Sequence, residues 1–198
     1  MVTLYDSAIS GNSYKVRLVA AQLGIPLRIV PIDILRGESR TPEFLRLNPN
    51  GRAPVLEDEG FVLAESNAIL AYLSRGTRLL PEDRRRWAIV LQWLFFEQYS
   101  HEPFIATSRF LLQHRPDTPE RAAALAARRD GGAAALRLMD SHLATRPFFV
   151  DDYSIADVAL FAYTHVAHEG GFPLDDFPFV RAWIDRVRAE PGFVAMTA

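Results

Sequence analysis

The chain has 198 residues, a length that fits one domain or two small ones. Apolar residues make up 49% and charged residues 23%, which supplies a sizeable core and excludes a disordered chain. Basic and acidic residues, 22 and 24, are interspersed, so no one-signed field exists to attract nucleic acid or an anionic membrane, and a small molecule or another protein is the expected partner. There is no cysteine, which excludes disulfides, a cysteine nucleophile and cysteine metal ligands within the chain. The run Met1-Val-Thr-Leu-Tyr-Asp lacks the pattern of a secretory signal, and no stretch approaches the ~20 apolar residues of a membrane helix. A soluble cytoplasmic protein is the expectation.

Val2 to Asp6 alternates as a strand does, and the turn residues Ser10-Gly-Asn-Ser then lead into a helix carrying Val16, Val19, Ala20 and Leu23 at helical spacing. Gly24 and Pro26 stop that helix. Leu27 to Asp33 is a second β-rich run, Thr41-Pro42-Glu43 has the form of a helix start, and Asn48-Pro-Asn-Gly51 is dense in turn residues. Pro54 to Leu56 and Phe61 to Leu63 are spaced as an antiparallel hairpin, and a helix is predicted from about Glu65 to Arg75. This βαβ-ββα order predicts a small mixed sheet with helices packed on it, over residues 1–77.

From residue 84 to 198 the chain has helical period and helix punctuation, which predicts an all-α second domain. Residues 85 to 112 are apolar on nearly every face around Trp87 to Phe96, so one long helix is expected there, covered on several sides or forming a subunit contact. Thr118-Pro119-Glu120 opens an Ala-rich helix that contains Gly131-Gly132, a pair signalling a kink or a close helix contact. Ser154-Ile-Ala-Asp157 has the pattern of a capping box, opening an apolar helix to about His168, and a last helix is predicted from Phe177 to about Ala189.

Three segments of the first domain could bind a ligand. Ser10-Gly11-Asn12-Ser13 sits at a helix start, where unpaired amides and the helix dipole favour an anion, although Ser and Asn are also the ordinary capping residues. Arg52-Ala53-Pro54-Val55 brings a proline to a strand start; a cis bond there would free the Ala53 backbone to pair with an extended peptide, whereas most X-Pro bonds are trans. Glu65-Ser66-Asn67 is a second helix start, able to hold a carboxylate and, through Glu65, an ammonium group. A thiolate site, a strand mimic and a zwitterion site are together what an extended thiol peptide needs.

The run Asn48-Pro-Asn-Gly-Arg-Ala-Pro-Val-Leu56, the run Leu63-Ala-Glu-Ser-Asn-Ala-Ile-Leu-Ala-Tyr-Leu73 and the segment Tyr153-Ser-Ile-Ala-Asp-Val158 resemble the glutathione S-transferase family over nearly the whole chain. The resemblance implies a thioredoxin-like N-terminal domain followed by an all-helical domain that contributes the electrophile site, with Tyr99, Phe104, Arg109 and Phe110 as candidates. It implies glutathione as co-substrate, no metal, a cis Ala53–Pro54 bond, and a homodimer. Ala53 would pair the cysteinyl part of the tripeptide, Glu65 and Ser66 would hold the γ-glutamyl end, and Arg52 and Asn50 would face the glycine carboxylate. Ser10 falls at the catalytic position as a donor to the thiolate, with Ser13, one turn on, as the alternative.

The activity implied is a transferase for hydrophobic electrophiles, a detoxification chemistry. Ser10-Gly-Asn12 is similar to the Thr-x-Asn pattern of Nu-class members, which adds Asn12 as a second donor and a disulfide-bond or peroxide reductase as the alternative. A non-catalytic binding module is the third reading, because the fold serves other roles as well. His165 and His168 are spaced three apart and could be metal ligands, but a histidine pair complementing a helix C-terminus is the plainer expectation.

Overall fold

The computed structural model describes residues 1–196. Strand β1 (Val2–Asp6) runs parallel to β2 (Leu27–Pro31), and the connection between them carries helix α1 (Gly11–Leu23). β3 (Val55–Asp58) lies antiparallel on the other side of β1, and β4 (Phe61–Ala64) pairs antiparallel with β3, giving the order β2-β1-β3-β4. The β3–β4 turn is tighter than the sequence suggested. Pairing continues to Asp58 opposite Phe61, leaving only Glu59 and Gly60 in the turn, both at positive φ (50° and 85°), the backbone that a two-residue hairpin of matching twist demands.

α1 buries Tyr14, Val16, Leu18, Val19 and Ala20, and α3 (Ser66–Ser74) buries Ile69, Leu70 and Leu73. The two helices pack on each other. Gly24 ends α1 in the left-handed conformation, as its position suggested. The short α2 (Pro42–Leu47) starts at a Thr41 cap with Pro42 in its first turn, and sets the buried Phe44 ring edge-on to Tyr5.

Met1–Thr77 forms one compact unit together with the tail that begins at Glu190, and Arg78–Ala189 forms the other. The tail therefore groups with the sheet and not with the helices to which the boundary at residue 84 assigned it. Two α1 side chains hold it: Tyr14 Oη donates to the Val194 carbonyl at 2.7 Å, and Arg17, which also pairs with Asp6, donates to the Met196 carbonyl at 3.2 Å.

The second unit is helical. The expected long helix over 85–112 is instead α4 (Arg84–Phe96), a π turn (Glu97–His101) and α5 (Glu102–His114). Pro103 is the physical reason: it has no N–H to give the carbonyl of Tyr99 and its ring crowds that carbonyl, so the backbone widens where an α-helix cannot continue. α4 buries Val90, Trp93 and Leu94 but leaves Trp87, Ile89 and Phe95 at 44%, 40% and 69% exposure, so the expected cover on several sides is incomplete among the described residues.

α6 (Pro119–Leu143) passes unbroken through Gly131-Gly132. The pair serves close packing and not a kink: a Cβ on Gly131 would lie 2.4 Å from the Phe104 ring, and one on Gly132 would lie 2.3 Å from the Phe172 ring. α7 (Ile155–Thr164) is buried at every position, and ends earlier than expected, giving way to a 3-10 turn (Ala167–Gly170) before α8 (Pro178–Arg188). No helix among the described residues is long and apolar enough to cross a membrane.

The start of α7 organises this unit. Ser154 and Asp157 form the capping box, and the Asp157 carboxylate also accepts from the Phe149 amide at 3.1 Å and the Trp183 indole at 2.9 Å. Burial pushes the Asp157 pKa up to about 7, while the Trp183, Phe149 and Ser154 donors pull it back toward the charged form. Replacing Asp157 by Ala leaves the Phe149 amide, the Ser154 amide and the Trp183 indole without their acceptor. A loss of about 3–5 kcal/mol in urea-unfolding free energy is expected, and an unchanged midpoint would contradict this role.

Candidate functional site

The loop after β1 is set by two serines with different duties. Ser13 is fully buried, and its Oγ accepts from the Ser7 amide at 3.1 Å, which fixes the loop. Ser10 is half-buried and caps α1, its Oγ accepting from the Ser13 amide at 3.3 Å. Capping occupies a lone pair and leaves the hydroxyl proton to point away from the helix amide, so the capping and donor readings describe the same group. Ser13, unlike Ser10, has no exposed surface in this structure.

The segment entering β3 is held by Asn48, to which the sequence analysis gave no role of its own. Its side chain is buried, donating from Nδ2 to the Arg52 carbonyl at 2.8 Å and accepting at Oδ1 from the Asn50 amide at 3.0 Å. Arg40 adds a bond to the Asn50 carbonyl at 3.0 Å. The Arg52 and Asn50 side chains are exposed. The Ala53–Pro54 bond is cis, as the resemblance implied, and both residues precede the ladder, whose pairing starts at Val55.

At the start of α3, Glu65 is exposed and holds φ 69°, ψ 111°. A non-glycine residue in that region costs of the order of 1–3 kcal/mol, and such strain collects at binding sites. Ser66 follows, 5% exposed. Its Oγ donates to Asn12 Oδ1 at 3.3 Å and receives a bond from Lys15 Nζ at 3.3 Å; Lys15 also donates to Asn67 Oδ1 at 3.3 Å.

Lys15 is fully buried and was missed from the sequence. The available signal was a lysine one turn into a helix whose next residues, Val16, Leu18 and Val19, are apolar. The structure thus joins Asn12, Lys15, Ser66 and Asn67, and with them the N-termini of α1 and α3, each presenting first-turn amides and a partial positive charge. Such a pair of helix ends can take two anionic groups of one ligand.

The candidates in the helical unit do not gather in the same way. Tyr99 lies in the π turn at 85% exposure, whereas the Phe104 ring closes against Gly131. Arg109 Nε is bonded to Glu169 Oε2 at 2.5 Å, and Phe110 packs beside His114 and under Arg115, each at 5.3 Å. His165 departs from expectation. Its Nδ1 donates to the Phe161 carbonyl at 2.7 Å, its ring stacks on Phe161, and burial pulls its pKa down to about 4, so it is neutral near pH 7 and adds no charge to the helix end. Among the described residues, no group of three or more His, Cys, Asp or Glu side chains is placed to hold a metal ion.

The chain matches the family model for the glutathione S-transferase N-terminal domain over residues 1–75 and that for the C-terminal domain over residues 122–186. It is 28% identical to the disulfide-bond oxidoreductase YfcG of Escherichia coli, over 97% of this chain and 92% of that protein. The crystal structure of a glutathione S-transferase from Pseudomonas fluorescens superposes with a TM-score of 0.97 and 46% identity, covering 100% of this chain and 99% of that one. The glutathione transferase URE2P8 of Phanerochaete chrysosporium, crystallised with oxidised glutathione, gives a TM-score of 0.86 and 25% identity, covering 96% and 90%. With a thioredoxin-like unit, a helical unit and both family domains matched, the chain belongs to the glutathione S-transferase family.

Proposed function

We propose that this protein binds glutathione, stabilises its thiolate and directs it onto a hydrophobic electrophile. The observation that carries the reading is the state of Ser10: its acceptor side is used by the α1 amide, and its proton is left to donate beside a helix N-terminus. A free thiol titrates near ~8.5 and is mostly protonated at neutral pH, so a hydroxyl donor and a helix dipole both favour the reactive anion. Burial of Ser13 supports Ser10 as the donor.

In this reading the thiol gives its proton to solvent and Ser10 donates to the sulfur, with the Asn12 amide as a second donor. The Ala53 backbone pairs with the cysteinyl part, as an added strand would. Glu65 holds the γ-glutamyl ammonium and Ser66 its carboxylate, while Arg52 and Asn50 face the glycine carboxylate. The sulfur then attacks an electrophilic carbon, a C–S bond forms and the leaving group departs with its electron pair. Contacts to the electrophile fall to the helical unit, where Tyr99 and Phe110 retain exposed ring surface while Phe104 and Arg109 are engaged in packing and pairing. The reaction fits the cytoplasm, where glutathione is kept reduced.

A second reading, the reduction of disulfides, is favoured by the placement of Asn12 beside Ser66 and by the likeness to the E. coli disulfide-bond oxidoreductase. Without a cysteine in the chain, both electrons must come from glutathione. One glutathione thiolate attacks the substrate disulfide and releases the first substrate thiolate; a second glutathione thiolate attacks the glutathione sulfur of the mixed disulfide, forming oxidised glutathione and releasing the second substrate thiolate, and both take a proton from solvent.

One variant tests both readings. Ser10→Ala is expected to lower kcat/KM with a chromogenic aryl halide by about 10- to 100-fold, the worth of a hydrogen bond to a charged group. A similar loss with a model disulfide, at a higher wild-type rate than with the halide, would select the reductase. Equal turnover by wild type and variant on both co-substrates would remove Ser10 from the chemistry.

We further propose a homodimer, supported by apolar surface left open in each unit: Trp87, Ile89 and Phe95 in the helical unit, and Phe61, Val62 and Tyr72 in the other. Sedimentation at micromolar concentration is expected to give twice the 22.3 kDa chain mass. A species at the chain mass would contradict it.

A further inference from the structure

We propose that Arg17 is a positioning residue through which the tail, Glu190 to Met196, holds the Ser10 loop in place, an inference that rests on the functional reading above. The loop is short: Ser7 to Ser10 joins β1 to α1 as one turn, closed by the Ser10 amide donating to the Ser7 carbonyl at 2.9 Å. Arg17 reaches back from the second turn of α1 and holds this loop at two points. Its Nη1 donates to both carboxylate oxygens of Asp6, the residue before the turn, at 2.5 and 2.6 Å, and its Nη2 reaches the Ala8 carbonyl at 3.5 Å. The same Nη2 donates to the Met196 carbonyl at 3.2 Å. One planar guanidinium thus joins strand end, loop and tail.

A cation beside Asp6 answers the charge of a buried carboxylate, and a lysine would serve for that. It does not account for the tail. The last residues of a chain are poorly ordered unless something ties them down, and this tail is tied to α1 at three places. Gly192 lies on the last turn of the helix: at φ 76°, a Cβ added there would stand 2.8 Å from Gln22 Cα and 3.0 Å from the Ala21 carbonyl oxygen. Tyr14 Oη donates to the Val194 carbonyl at 2.7 Å, and its ring lies 5.9 Å from the Arg17 guanidinium. Met196, which is buried, takes the Arg17 bond.

The tail limits where the guanidinium can sit. With Nη1 on Asp6 and Nη2 between two carbonyls, the fork is held from both sides; removing the Met196 carbonyl frees it to turn about the Asp6 pair and leave Ala8. The Ser7–Ser10 turn then keeps its inner hold, the Ser13 hydroxyl on the Ser7 amide, and loses its outer one. Ser10 follows Ala8 by two residues, so its hydroxyl is no longer fixed where it has to meet a sulfur, and a misplacement of about 1 Å at a reacting group is worth up to about 100-fold in rate. The residues assigned to the γ-glutamyl and glycine ends, Glu65, Ser66, Arg52 and Asn50, belong to other segments. The effect therefore falls on the thiol and not on the ends of the tripeptide.

The test uses full-length protein with Gly192→Val, Tyr14→Phe and Arg17→Lys, each alone and combined with Ser10→Ala. Gly192→Val drives a branched side chain at positive φ into the α1 backbone and lifts the tail while leaving α1 unaltered. Tyr14→Phe removes one hold, and Arg17→Lys keeps a charge for Asp6 but gives up the fork. Far-ultraviolet circular dichroism selects the folded variants, and hydrogen exchange over residues 193–196 reads release of the tail; the pair Tyr14→Phe with Gly192→Val serves if either alone leaves it bound. Released variants and Arg17→Lys are expected to lose about 3- to 10-fold in kcat/KM with an aryl halide, the worth of one hydrogen bond, while affinity for S-methylglutathione stays within about twofold. The apparent pKa of the pH–rate profile is expected to rise by about half a unit to one unit. On the Ser10→Ala background the same changes add no further loss, because the tail acts through Ser10. A released variant with wild-type kcat/KM and an unshifted profile overturns the proposal, even if it melts earlier, and so does a loss of the same size with and without Ser10. No effect of Ser10→Ala by itself would instead overturn the functional reading, and the role of Arg17 with it.

Discussion

A helix cannot pair its first amides internally, and what it does with them decides what can bind there. In the first unit two helices begin close together, and their starts are tied by one line of hydrogen bonds, Lys15 to Ser66 to Asn12. The rest of that unit serves to keep this arrangement in place. The parallel β1–β2 pair fixes where α1 begins, the antiparallel β3–β4 hairpin fixes where α3 begins, and the packing of α1 on α3 brings the two starts together. Ser13 Oγ accepts from the Ser7 amide and fixes the loop, while Ser10 Oγ caps the helix end by accepting from the Ser13 amide. The tail from Glu190 is held against α1 by Tyr14 and Arg17, so the helix that presents Ser10 is tied down by the end of the chain as well as by the sheet.

The helical unit solves a different problem, the burial of a helix that is apolar all round. α7 can be enclosed at every position only because its start meets a carboxylate able to satisfy several donors at once, and Asp157 does that for Ser154, Phe149 and Trp183. Close approach elsewhere is achieved by omission: Gly131 and Gly132 leave room for the Phe104 and Phe172 rings. What the unit does not bury, the Trp87, Ile89 and Phe95 side chains of α4, is as informative as what it does.

Much of this was legible in the sequence, for physical reasons. Caps and breakers act locally, so Thr41, Gly24 and the Ser154–Asp157 box mark their helices whatever surrounds them. The segments around Ser10, Ala53–Pro54 and Glu65–Ser66 stand out in the sequence because turn and cap residues interrupt apolar runs. The features that escaped depend on partners far along the chain. Lys15 is an ordinary helix residue until Ser66, 51 positions later, gives it a role. Whether Gly131-Gly132 meant a kink or a contact depended on two aromatic rings, and the tail's attachment to α1 depended on contacts across 180 residues. The π turn is the exception, because its cause is local: Pro103 falls in the interior of the 85–112 stretch, where a proline is by itself the signal of a break.

The proposed function depends on one electrostatic effect, that the start of α1, with the Ser10 hydroxyl, favours sulfur in its charged form. Thiolates absorb in the ultraviolet where thiols do not, so a pH titration of the difference spectrum of the wild-type complex with glutathione reads the bound sulfur directly, with no second substrate present. The bound thiol is expected to titrate at least about one unit below the ~8.5 of a free thiol. A complex whose sulfur titrates as it does in free glutathione would mean that these helix ends hold the tripeptide without activating it.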